Sequence, residues 1–407
     1  MENTDQSRTL IHTRKNHHVP APLRYRPRLK IIRDDFDKPF LMIVCVLLVF
    51  GIAMMFSASY VFGLNSAKAD GFQELKDQAG HAGIGLLAML GLSFLDYHFF
   101  SYKKFAHGLF YIALGLCFMT LFFGKEESVA GARRWLDLGF VTIQPSEILK
   151  ITFIILFTFM LSVRYPTFKK KFAMLPFMTV LGISCGVVAL QRHLSALLIF
   201  FAIGISMMLI GGIPWKSFGK MMLLFGALGV VMLIVMSVGS DSNPFSYVTD
   251  RLKIWRNPLA DSRADGYQTT QSLIAIGSGG LFGLGFGQSR QKYLYLPEAQ
   301  NDFIFSIICE ELGFVGAMVV ILLFLLFIVR GFVIASRAKD RFGMLLTAGI
   351  TLQIAIQALL NIMVAINAFP NTGVSLPFFS SGGSALVIQL SEMGIILSVS
   401  RQGLAES

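Results

Sequence analysis

The chain has 407 residues, of which 54% are hydrophobic and only 14% charged, with mean hydropathy +0.65 and formal net charge +11. These values exclude an ordinary soluble domain, in which about a quarter of the residues carry charge. The excess of basic residues is read as membrane topology and attraction to anionic lipid, with no nucleic-acid partner.

Residues 1–38 form a basic tail interrupted by Pro20, Pro22 and Pro27, the composition of a largely disordered cytoplasmic segment. From residue 40 onward, apolar stretches near the roughly 20 residues that cross a bilayer recur between short polar links. The pattern predicts about ten spans, near 40–62, 79–96, 105–123, 146–163, 173–190, 194–212, 220–239, 303–329, 343–367 and 380–399. The first lies too deep in the chain for a cleaved signal peptide. The fold class is therefore an all-α polytopic membrane protein. Its membrane domain covers 39–401, with a large extracytoplasmic loop at 240–302 between the seventh and eighth spans and a short C-terminal tail at 402–407.

Lysine and arginine set the orientation, because short cytoplasmic loops carry the excess of positive charge. Arg24, Arg26, Arg28, Lys30, Arg33 and Lys38 precede the first span, and Lys103 and Lys104 follow the second. Lys169, Lys170 and Lys171 follow the fourth, and Arg330, Arg337, Lys339 and Arg341 the eighth. All fall on one side only if the N-terminus is cytoplasmic, and an even number of spans returns the C-terminus there. Cys45, Cys117, Cys185 and Cys309 lie inside spans without ligand spacing and read as small core residues. No metal site and no cofactor are implied, and a divalent cation is left open.

Three outward segments hold the polar residues. The first, Gly131–Lys150, carries Arg133 and Arg134, read either as a guanidinium grip on phosphate or, with Trp135, as interfacial anchors. Glu147 and Lys150 follow Pro145 three residues apart on one helical face, as an internal ion pair or a charged cavity lining. The second is the long loop, with GYQTTQS from Gly266, a glycine-rich stretch to Ser289, and LPEAQND ending at Asp302. Its apolar piece, Ser272–Phe286, is too short and glycine-rich to span, so it lies in the interface or dips in against protein. Its glycines suit tight turns and close helix approach better than a phosphate cradle. The third, Asn367–Ser384, breaks helix repeatedly at Pro370, Gly373, Pro377, Gly382 and Gly383, which is tolerated only where protein or a hydrated cavity satisfies the backbone. Asp302 itself, a carboxylate at the mouth of an apolar run, is either a helix N-cap or a functional group.

In FSASY (Ser57, Ala58, Ser59), the Arg134–Trp135 pair, QPSE with Lys150, GYQTTQS, LPEAQNDFIF, EELG (Glu310–Gly313) and PNTGVSLPFFSSGGS, the chain resembles the SEDS family (shape, elongation, division and sporulation) of FtsW, RodA and SpoVE, from Asp35 to about Arg401. The resemblance implies a ten-span glycosyltransferase in the bacterial cytoplasmic membrane that polymerises lipid II into peptidoglycan on the outer face. The division or sporulation branch is preferred to the elongation branch. The implied partners are a class B penicillin-binding protein and other divisome or sporulation proteins. The family's catalytic aspartate falls on Asp302, a general base for the acceptor hydroxyl in an inverting transfer. Partial burial at the membrane boundary is expected to strengthen that base. Implied binding residues for diphosphate or sugar are Arg133, Arg134, Trp135, Glu147, Lys150, Gln268, Gln271, Lys292, Glu298, Thr372, Ser375 and Ser380, with Arg290 an alternative to Lys292.

The chain departs from the family in four places. Gln191, Arg192, His193, Leu194 and Ser195 stand where many members have Q-P-D-L-G, so an acidic role there is in doubt. Asn301 replaces a common threonine, Ser381 a frequent tyrosine, and Thr372 the lysine of some division-type members. A lipid II flippase and a scaffold that only activates its partner are the alternative functions.

Overall fold

The computed structural model describes residues 31–32, 34–65, 70–126, 133–137, 139, 142–164, 174–191, 193–213, 219, 226, 254–258 and 266–404. Its helices are α1 (Lys38–Leu64), α2 (Gln73–Phe94), α3 (Lys103–Phe123), α4 (Pro145–Arg164), α5 (Leu175–Leu190), α6 (Leu194–Ile210), α7 (Tyr267–Ser278), α8 (Ile304–Ser336), α9 (Arg341–Ala365) and α10 (Gly383–Leu404). The expected tail over residues 1–30, most of the expected span at 220–239 and most of the loop over 240–265 lie outside the described residues.

Among the described helices, α1, α3, α4, α8, α9 and α10 are long and apolar enough to cross a membrane, and α5 and α6 are shorter apolar helices. α2 occupies the second expected span but starts at Gln73 rather than 79, adding the polar turns Glu74, Lys76, Asp77 and Gln78. Three short strands between α3 and α4 were not anticipated: β1 (Lys125–Glu126), β2 (Arg133–Asp137) and β3 (Thr142–Ile143), paired antiparallel in that order. Pieces of two to five residues are too short to show a period of two in sequence.

Val49, Leu87, Phe123 and Leu322 lie on outer faces and are exposed, as lipid contact requires, while Phe40, Phe153, Phe157, Phe327, Phe378 and Phe379 fill the interior. Lipid tails are as apolar as leucine, so close packing and buried polar contacts hold such helices together. One end of the bundle is tied by charges. Asp37 caps α1, accepting from the Phe40 N–H at 2.9 Å, with Pro39 in the first turn where an N–H would go unused. The Arg330 fork at the end of α8 donates to the same carboxylate at 2.8 to 3.1 Å, and the Asp37 N–H reaches Ser400 of α10.

Beside this lies His98, in the 3-10 turn Tyr97–Ser101. Its Nδ1 is 2.7 Å from Asp96 and its Nε2 3.1 Å from Asp340, which also caps α9. Burial lowers the imidazole pKa, but the hydrogen bonds to Asp340 and Asp96 outweigh it and raise it to about 9. A histidine whose folded pKa is raised contributes stability that is complete below its unfolded value of about 6.5 and lost as pH climbs through the folded one. Thermal stability in detergent should therefore fall between about pH 6.5 and 9, and His98→Gln should flatten that slope. An unchanged slope in the variant would assign it to other groups.

α8 is broken at Gly313, whose φ of +68° suits glycine alone, and the kink frees backbone groups at membrane depth. The glycine-rich loop after α7 satisfies them. Leu284 and Gly285 donate to the carbonyls of Glu310 and Glu311, and Phe314 and Val315 donate to those of Gly280 and Leu281. A Cβ on Gly283 would sit 2.1 Å from the Glu311 carbonyl oxygen, so glycine is what permits this approach. The stretch 279–285 thus packs its backbone directly against α8.

Candidate functional site

The other end of the bundle collects the polar segments. The turn over 298–302 carries the N–H groups of Asn301, Asp302 and Phe303 onto the Glu298 carbonyl, with Glu298 at a φ of +55°. Helix α8 then starts at Ile304 with Phe303 at its N-terminal flank and no side-chain cap. Asp302 is therefore not a helix cap. Its carbonyl accepts from Asn361 Nδ2 of α9 at 2.8 Å, and Asn361 also donates to the Val374 carbonyl at 2.7 Å. One amide thus fixes Asp302 against the loop 367–383. The carboxylate faces Gly373, where a Cβ would stand 3.2 Å from Oδ2, at a φ of +71°.

A row of polar side chains continues from there into the bundle. Gln353, Gln357 and Asn361 recur every four residues of α9 and so share one stripe. Gln357 donates to Ser375 Oγ at 3.2 Å and accepts from Lys150 Nζ of α4 at 3.0 Å. Lys150 is 2.8 Å from Glu147, with 2% and 9% of the two side chains exposed, so this is a buried ion pair rather than a surface one. Gln353 donates to both oxygens of Glu392 in α10 at 2.8 and 2.9 Å. An unpaired charge at such depth is costly, and each of the charged groups here has a partner.

On the far side of the loop, Ser195 at the start of α6 donates to the carbonyls of Thr372 and Gly373. His193, just before it, is buried and senses the charges of Arg134 and Lys150. Ser380 caps the loop internally, accepting from the Leu376 N–H at 2.7 Å and donating to the Asn301 carbonyl. Gln78 of α2 donates to the Ser380 carbonyl and Glu74 accepts from Ser381 at 3.1 Å, so the polar start of α2 closes that side. Asn371 donates to Gln268 of α7 at 3.1 Å.

The fold thus brings Asp302, Arg134, Glu147, Lys150, Thr372, Ser375 and Ser380 around one loop, with Gln268 at its edge. The remaining expected residues take other positions. Arg133 and Arg134 are successive in β2 where its register with β1 shifts, Glu126 pairing with Arg133 and Lys125 with Trp135, so Arg134 is the extra residue at that irregularity. Lys292 is buried, donating to the Gly287 carbonyl at 2.6 Å, Glu311 at 3.0 Å and Ser57 at 3.2 Å. Its ammonium is committed to holding the glycine loop on α8. Glu298 is exposed, shapes the turn and accepts from Asn301 at 2.6 Å. Gln271, half-buried on α7, lies one turn beyond Gln268. Trp135 pairs with Lys125 across β1 and β2, and Arg290 is exposed with its N–H on Glu310. Asn361, Gln357, Gln353, Glu392 and His193 were not expected; the spacing of the three α9 amides was the available signal.

A family described as "Cell cycle protein", for FtsW, RodA and SpoVE, matches residues 38–404. A Geobacter sp. protein named "Probable peptidoglycan glycosyltransferase FtsW" is 35% identical over 90% of this chain and 97% of its own length. "Stage V sporulation protein E" of Bacillus subtilis is 36% identical over the same shares, 90% and 97%. Among solved structures, a chain from "Structural coordination of polymerization and crosslinking by a peptidoglycan synthase complex" superposes with TM-score 0.70 at 26% identity, covering 90% of this chain and 98% of that one. The rod shape determining protein RodA of Thermus thermophilus shares the fold, with TM-score 0.65 at 24% identity over 90% of this chain and 97% of its own.

Proposed function

The chain belongs to the FtsW, RodA and SpoVE family of cell cycle proteins, and we propose that it is a peptidoglycan glycosyltransferase polymerising lipid II at the outer face of the bacterial cytoplasmic membrane. The relatives named FtsW and stage V sporulation protein E support a division or sporulation role. Both termini are then cytoplasmic, as the distribution of lysine and arginine requires. The carrying observation is that Asp302, not engaged in helix capping, turns its carboxylate to Gly373 of the loop whose Ser375 is linked through Gln357 to Lys150.

Lipid II presents an α-linked anomeric carbon bearing a polyprenyl diphosphate, a good leaving group. Asp302 takes the proton of the acceptor sugar hydroxyl as its oxygen bonds to that carbon from the opposite face. The bond to the diphosphate oxygen breaks with its electron pair, and the product is β-linked. Arg134 and Lys150 stabilise the departing charge, and Lys150 is oriented for this by Glu147 and Gln357. The partner supported by the synthase-complex neighbour is a class B penicillin-binding protein that cross-links the strand.

Gly373→Ala should test the approach of the carboxylate. The substitution places a left-handed backbone under an L side chain, costing about 1–2 kcal/mol, and pushes a methyl against Asp302. Turnover is expected to fall by up to about 10²-fold, more than the melting shift accounts for, since displacements near 1 Å suffice. Loss no greater than the stability change would detach Gly373 from the chemistry.

The polar stripe of α9 would also suit lipid translocation, the second reading. Purified protein with its partner in vesicles carrying labelled lipid II separates the two. Glycan strands made from outer-leaflet lipid II are the expected product, and translocation without polymer would overturn the assignment.

A further inference from the structure

Helix α6 begins at Leu194 with His193 at its N-terminal flank and no side chain capping it. Seventeen residues long, it presents unsatisfied N–H groups and the positive end of its dipole there. His193 is 7% exposed, and its Nδ1 is wholly buried without a hydrogen-bond partner. Thr372 Oγ1, in the residue whose carbonyl Ser195 holds, is also buried and unpartnered. The charges that face the imidazole come from Arg134 of β2 and Lys150 of α4, the latter paired with Glu147. Across the loop the Asp302 carboxylate faces Gly373, whose carbonyl Ser195 holds, α9 places the neutral Gln357 and Asn361 against the same loop, and α10 carries Glu392 beyond Gln353.

We propose that His193, the N-terminus of α6, Arg134 and Thr372 form a diphosphate-binding pocket in which His193 takes up a proton as the anion binds. The proposal rests on the glycosyltransferase reading only for the source of that diphosphate, the leaving group of a lipid-linked donor. Helix N-termini bind such anions through their free N–H groups, and arginine supplies matching donors. Burial first, and then the charges of Arg134 and Lys150, hold the imidazole pKa well below the ordinary histidine value, so the ring is neutral in the empty pocket. A diphosphate reverses the local field, and nearby negative charge favours the protonated ring. A neutral imidazole donates one hydrogen bond and an imidazolium two, so the proton also adds a contact to the anion. Departure of the diphosphate returns it.

The full chain in lipid nanodiscs is titrated calorimetrically with undecaprenyl diphosphate and, separately, with inorganic diphosphate, in buffers of different ionisation enthalpy between about pH 6 and 8, the range in which an ordinary histidine titrates. Relative to variants that lack the imidazole, wild type should take up about one proton more per anion and gain up to about tenfold in affinity for each unit that pH falls. His193→Gln and His193→Asn, which keep a donor but do not titrate, should leave only the proton exchange and pH dependence of the diphosphate itself. The same wild-type-minus-variant difference for both ligands assigns the effect to the diphosphate rather than the prenyl tail. Wild type and variants that exchange the same number of protons on binding overturn the proposal. Proton-linked binding by a protein that fails to polymerise lipid II would instead sink the glycosyltransferase reading and leave the pocket standing.

Discussion

Asp302→Asn leaves the chain folded and inserted and lowers lipid II polymerisation by about 10²- to 10⁴-fold, the range that a general base contributes. The amide matches the carboxylate in shape but cannot accept the acceptor's proton. Stability should hold, because the carbonyl to Asn361 and the N–H to Glu298 anchor Asp302 whichever group its side chain carries. A helix-capping aspartate would behave differently, since loss of a cap costs about 0.5–2 kcal/mol whatever happens to activity. Melting temperature and polymerisation measured on one preparation separate the roles. A variant that polymerises at the wild-type rate removes Asp302 from the mechanism.

Much of this site could be seen in the sequence because charge beside an apolar run is costly and therefore conspicuous. Asp302 stands out for that reason, and Glu147 with Lys150 because a spacing of three puts both on one helical face. The amides of α9 carry no charge and sit inside a segment read only for its hydropathy, so Gln353, Gln357 and Asn361 passed as span residues although they repeat every four positions. Lys292 misled for the opposite reason. A lysine in an outward loop reads as available, but its partners are Glu311, 19 residues later, and Ser57, 235 residues earlier. Only the kink at Gly313 brings the glycine loop down to them, and a kink that depends on a distant loop leaves no local periodicity. β2 escaped notice likewise, and with it the irregular register at Arg133 and Arg134.

Glu311→Gln is expected to be the most destabilising single substitution among those considered, at about 3–5 kcal/mol, the cost of leaving a buried charge without its partner. The carboxylate is 0% exposed and accepts from Ser57 Oγ at 2.7 and 2.8 Å, the Gly287 N–H at 3.0 Å, the Ser289 N–H at 3.3 Å and Lys292 at 3.0 Å. Glu310 beside it accepts from Ser289, Arg290 and Gln291, so the two carboxylates hold most of the turn after the glycine loop. Glutamine keeps one acceptor oxygen but adds donors where the site already supplies them, and it strands the Lys292 ammonium. Removing both charges should cost less than removing one: Lys292→Met combined with Glu311→Gln is expected to recover much of the loss, because the stranded cation goes too. Thermal melting in detergent of the two singles and the double provides the cycle. Additive losses would mean that each residue acts through separate contacts. A coupling of several kcal/mol, on the order of the single-variant cost, would instead mark the pair as one unit, fastening to α8 the segment that leads to Asp302.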